Sequence, residues 1–307
     1  MKKLKQLLPV GFWVIWSAAV PMDSMFGAPV MFTVDPTQSQ VTLSGNLVAF
    51  SSLSAPITAQ SSGSLTTSYN GSINADVSGT TIQFTGSSLI TAQTNSLPQQ
   101  PAPGGVSGSA PADYGGMAQK NAFFTTITLD IALRNAGLDI TSPMLTLSSG
   151  DFASTSLQFS FSTNVNGTID YLDNIGDSGT AGLVGSSTDA SSAPASLTTT
   201  GSVQVLTIPV NMTFTDTSAA LNGTTLIMVG QIVAIRTIFP PPNINSINVT
   251  NQMVVLTVAN ATAQSQVLVS HDLNHWSAQT TSVTNRLNLT IFTFPGSGGA
   301  EFFRVEQ

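Results

Sequence analysis

Residue types able to do chemistry are scarce in this chain, and their densest grouping is acidic: Asp170, Asp173, Asn174, Asp177 and Asp189, with Gly176 and Gly179 permitting a tight turn. Hard cations take oxygen ligands from such loops, so Asp170, Asp173 and Asp177 are the candidate metal ligands and calcium the candidate ion. The spacing departs from an EF-hand, because Ile175 stands where that loop needs a ligand. Without a cation, the same stretch is a solvated loop.

Other constellations are thinner. Ser270-His271-Asp272 has the residue types of a nucleophilic triad, yet adjacent residues of an extended chain point apart, and a triad is made by convergent geometry. His271 and His275 would pair on zinc only if a helix carried them, and they fall in a turn before a strand. Two carboxylates could meet for glycoside hydrolysis, but beyond the N-terminal segment the only tryptophan is Trp276, with three tyrosines to stack on a sugar. The absence of cysteine removes disulfides, thiolate zinc sites and cysteine catalysis. No catalytic or cofactor-binding residue is therefore nominated.

The elements that would hold these residues read as strands. Only 7% of the 307 residues are charged, against roughly 25% in ordinary domains, and Ser, Thr, Asn and Gly supply the polar surface. The net charge of −7 disfavours phosphate backbones and anionic lipid. Residues 1–28 read as a signal peptide: Lys2, Lys3 and Lys5 precede an apolar run from Leu7 to Val20, too short to span a bilayer. The mature chain then has no membrane span and a secreted or cell-surface location.

From Val30 the apolar period is two. Asn70-Gly71 and Ser78-Gly79 read as hairpin turns, as do Asn166-Gly167 and Asn222-Gly223. Thr91 to about Lys120 lacks periodicity and reads as a long loop. Phe123, Ile127, Leu129, Ile131 and Leu133 share one face of the longest alternation, and Leu157, Phe159 and Phe161 continue the pattern. Pro209 belongs at a sheet edge or bulge. Leu226–Ile235 is apolar on both faces and so requires cover on both sides, from a loop, the tail or another chain. Phe239-Pro240-Pro241-Pro242-Asn243 cannot continue a ladder and separates two units. Trp276, the one tryptophan of a unit with few large side chains, reads as its core plug.

These readings give an all-β chain: a signal peptide (1–28), a large antiparallel β-sandwich or barrel (29–238), a proline-rich linker (239–243) and a small immunoglobulin- or fibronectin-like β-sandwich (244–307). On the residues Ser270-His271-Asp272-Leu273-Asn274-His275-Trp276 and Phe302-Phe303-Arg304-Val305, the tail resembles a C-terminal sandwich module of secreted planctomycete and verrucomicrobial proteins. The resemblance implies an accessory module with no activity attached. On Phe32-Thr33-Val34-Asp35-Pro36, Ser64–Gly71, Ala112-Asp113-Tyr114-Gly115 and Gly230–Ala234, the body resembles uncharacterised secreted proteins of the same bacteria, often ones with an exosortase sorting signal. Val34-Asp35-Pro36 is also similar to the opening of the lipocalin-like polyisoprenoid-binding family. The function expected is a non-enzymatic structural or adhesive role toward an extracellular polymer or protein. The alternatives are a lipocalin-like binder of an apolar small molecule and a secreted hydrolase of an external polymer. A hollow interior lined by Phe123, Ile127, Leu129, Phe159 and Phe161 would favour the binder; a filled one favours the structural role.

Overall fold

The computed structural model describes residues 28–49, 53–122, 125–216, 221–238, 242–261, 265–286, 289–297 and 301–306. Phe123, Phe124, Phe239, Pro240 and Pro241 lie outside them. The chain is all-β, its sheet ladders are antiparallel, and it divides into two compact units at Ile238 and Phe239.

The first unit is a sandwich. Fourteen strands join in one sheet, whose central members are Val203–Thr215, Thr225–Thr237, Ala28–Val34 and Thr66–Val77. Five more, in the order Ser178–Gly182, Thr168–Asp173, Thr125–Arg134, Tyr114–Ala122 and Thr58–Ala59, form a second sheet. Period-two alternation puts Leu129, Ile131 and Leu133 of the smaller sheet into one continuous core with Phe32, Ile73, Leu206, Ile208, Met228 and Phe159 of the larger. The alternating pattern therefore identifies the core-facing set.

Local signals fare unevenly. Ser78-Gly79 and Asn222-Gly223 do close hairpins, between Thr66–Val77 and Thr81–Phe84 and between Val203–Thr215 and Thr225–Thr237. Asn166-Gly167 turns the chain, but Gln158–Phe161 before it and Thr168–Asp173 after it belong to different sheets, so it is a corner rather than a hairpin. Asn70-Gly71 is not a turn at all. It sits inside Thr66–Val77, where the strand exchanges one neighbour, Gln40–Ala49, for another, Ala28–Val34. Gly71 has φ 109°, and a Cβ there would strike the Leu89 carbonyl oxygen, so the glycine serves close backbone approach.

Pro209 lies where Val203–Thr215 has run beyond its pairing with Ala195–Thr200, the edge position its missing donor requires. The doubly apolar strand is covered on its inner face by the core. On its outer face Val233 is buried beneath the turn at Asp35–Ser39, with Ser39 accepting from its amide and donating to its carbonyl, but Val229 (47%) and Ile235 (39%) stay exposed. The expectation of full cover is thus corrected among the described residues.

In the second unit Asn243–Thr250, Met253–Ala259, Leu289–Pro295 and Ser282–Arg286 form one sheet, and Ser277–Ala278, Gln266–Ser270 and Phe302–Glu306 another. Their core is Val254, Leu256, Val258, Val267, Val269, Phe292 and Phe294.

Candidate functional site

The acidic group lies on the hairpin made by Thr168–Asp173 and Ser178–Gly182. Residues three apart on a strand face opposite ways, so Asp170 and Asp173 diverge. Asp170 is on the outer face, where its buried carboxylate pairs with Arg134 and accepts from Gly104 N (2.9 Å) and the Thr180 hydroxyl. Asp173 is on the core face beside Leu129, and its Oδ1 accepts from the amides of Ile175, Gly176 and Asp177 at 3.0, 2.8 and 2.7 Å. This carboxylate folds the turn that the glycine spacing suggested. Its Oδ2 is buried with no partner.

Asp177 is exposed, and its charge, after burial, is the second factor pushing the Tyr171 hydroxyl upward. Asn174 bonds back to Thr126 and Thr128 on the adjacent strand. Asp189 lies apart, accepting from Ser191 N and Asn211 N, and burial pushes its pKa up. The structure brings Asp173 and Asp177 together and leaves Asp170 and Asp189 elsewhere. Among the described residues no group of three histidines or carboxylates could hold a metal ion.

The tail turn has its own logic. Ser270 Oγ accepts from Leu273 N (2.9 Å) and donates to Asp272 Oδ1 (3.1 Å). Asp272 Oδ1 accepts from Asn274 N and His275 N, and Oδ2 meets His275 Nδ1 at 2.6 Å. Those bonds, led by the His275 ring, hold the Asp272 pKa well below its ordinary value. The triad residue types thus build a turn. Trp276 is not the core plug: it is half-buried, its indole N–H closes the turn on Leu273 O (3.1 Å), and Arg304 stacks on its ring at 4.5 Å. Phe292 and Phe294 fill the core instead, because they fall on the inward positions of a central strand.

Chemistry hidden in the apparent loop is more extensive. The stretch from Thr91 to Lys120 contains the small hairpin Asn95–Gln99 with Ala110–Ala112 and the strand Tyr114–Ala122. Gln60, Arg134 and Asp170 fasten it: Gln60 bonds both the carbonyl (2.6 Å) and the amide (2.8 Å) of Gln100, and Arg134 donates to Pro101 O and Pro111 O. Asp113 is buried, accepts from Ala136 N, and has its pKa raised by burial. Beneath it Tyr69 and Tyr114 share a hydrogen bond at 3.0 Å deep in the core, where burial raises both. Gln60 carries no periodic signal. Arg134 stands out in the sequence only by the rarity of charge in this chain.

Leu129, Phe159 and Phe161 are buried, and the cavity bounded by Phe161, Ile169, Leu183 and Phe214 is about 10 Å³, one water at most. An open groove of about 390 Å³ runs past Pro29, Met31, Asn74, Asp76 and Ser87. No protein-family description, curated protein or solved structure matches the chain.

Proposed function

We propose that this is a secreted or cell-surface β-protein with a structural or adhesive role and no enzymatic activity, acting on an extracellular polymer or another surface protein. The observation carrying this reading is the use of the reactive side chains: Asp170, Asp173, Asp189, Asp272 and Arg134 each bond the backbone around them, and Arg134 also pairs with Asp170. The small cavity beside Phe161 and the burial of Leu129 and Phe159 support this role over a lipocalin-like one. The tail is proposed as an immunoglobulin-like module, since its four-stranded order of first, second, sixth and fifth strands facing fourth, third and seventh follows the ABED arrangement opposite C and F.

The test is to express the full chain in a bacterium with a secretion pathway, determine the N-terminus by mass spectrometry, and incubate the product with insoluble cell-envelope polymers. The expected result is export, loss of a segment ending near residue 28, co-sedimentation and no released soluble product. Retention in the cytoplasm with Met1 in place, or release of polymer fragments, would overturn the reading.

A further inference from the structure

The open groove of about 390 Å³ lies on the outer face of the large sheet, where Pro29 stands opposite Asp76 on the neighbouring strand and Met31 opposite Asn74. Period two puts all four on one side. The far wall is the turn Thr85-Gly86-Ser87, and the fold holds it firmly. Asp139 accepts from the amides of Ser87 (3.1 Å) and Ser88 (2.8 Å), Asn74 donates its amide to Ser87 O (2.8 Å), and the buried Ser88 hydroxyl accepts from Asn74 N (3.0 Å). These bonds keep Ser87 at φ 59°, a left-handed conformation that serine retains only where its surroundings over-determine it. The groups aimed at the groove are treated differently. Among the described residues the half-buried Asp76 carboxylate, Asn74 Oδ1 and the Thr85 and Ser87 hydroxyls make no hydrogen bond.

We propose that this groove binds one unit of a neutral polysaccharide, a ring with hydroxyls at its edge and C–H bonds on its face. Asp76, with both oxygens open, accepts from two adjacent ring hydroxyls. Asn74 Oδ1 accepts from a third, and the Thr85 and Ser87 hydroxyls both accept and donate. Across from them Met31, 62% exposed, and Pro29 give the C–H face an apolar edge. A lone ammonium or guanidinium would use Asp76 and leave the amide oxygen and both hydroxyls idle. An anionic ring would meet Asp76 with no Lys or Arg among the lining residues to offset it. The groove is open, so the bound unit can continue into a chain. No aromatic ring lines it, so a single site binds weakly and adhesion rests on many copies along one polymer.

The inference rests on the adhesive reading, names the chemistry of its polymer, and fails separately from it: co-sedimentation with envelope polymer that survives Asp76→Ala removes the groove alone. Export would leave an amino terminus near Pro29, at the groove's end, so the exported, processed chain is the form to titrate. Cellotriose, chitotriose and mannotriose are added in turn while backbone amide shifts are followed by NMR, with trigalacturonate and Nα-acetyl-lysine methylamide as charged probes. At least one neutral trisaccharide is expected to bind saturably, shifting Asn74, Asp76, Gly86 and Ser87 and sparing Ile131 and Leu133. Asp76→Ala should weaken that binding about tenfold or more, and Thr85→Val about threefold or more. Neither substitution should move the melting temperature, since neither side chain has a hydrogen-bond partner among the described residues, and Thr85→Val decides alone if Asp76→Ala does not fold. Three outcomes overturn the proposal: no neutral trisaccharide shifts the groove amides, binding is indifferent to the substitutions, or a charged probe binds more tightly than every neutral one.

Discussion

Arg134 and Asp170 show how much one buried pair can be asked to do. Their contact fastens segment 99–113 to the smaller sheet, and both side chains are nearly inaccessible. Arg134→Gln leaves a buried carboxylate without its cation, and a loss of about 3–5 kcal/mol in urea unfolding is expected. Replacing both by Met and Leu should recover most of that loss, because the desolvation cost disappears with the charges. Asp189 tests the opposite situation. Burial raises its native pKa above the unfolded value, so the folded state binds the extra proton; its contribution is fullest below the ordinary carboxylate range and is lost as pH rises through the raised value. Asp189→Asn should therefore flatten the fall in melting temperature across that interval, and an unchanged pH profile would contradict the assignment. In the tail, Trp276→Ala should cost only about 1 kcal/mol, since the ring is half-buried, whereas Phe292→Ala should cost about 3–5 kcal/mol.

At the scale of elements, the sequence carries faces better than connections. Leu129, Ile131 and Leu133, or Leu206, Ile208, Val210 and Met212, declare their inward side because a strand has a period of two and a filled core rewards it. Asn70-Gly71 misleads because the dipeptide signals a backbone freedom that a hairpin and a mid-strand close approach both use. Gly71→Ala is accordingly expected to destabilise the body by about 2–3 kcal/mol, more than an exposed turn glycine would, because the clash is with the Leu89 backbone. Segment 99–113 was illegible for a different reason: its order comes from Gln60, Arg134 and Asp170, all distant in sequence. The acidic cluster was visible as a cluster, but the opposite facing of Asp170 and Asp173 follows only once the strand is known to begin before both. Trp276 reads as core by its size, but it lies in the turn before Ser277–Ala278, where its indole closes that turn instead of filling the core.

At the scale of the whole molecule, residues 28–238 close a core of their own, and the reactive side chains help to hold it. Among the described residues, each unit has a buried apolar cluster of its own. Val229 and Ile235 are the exposed large apolar side chains of the doubly apolar strand. Expressing residues 29–238 alone and following circular dichroism on heating, with an apolar dye present, tests this most directly. A soluble monomer with one cooperative β-rich transition and no more dye bound than the full chain is the result expected, and aggregation or strong dye binding before the transition would contradict it.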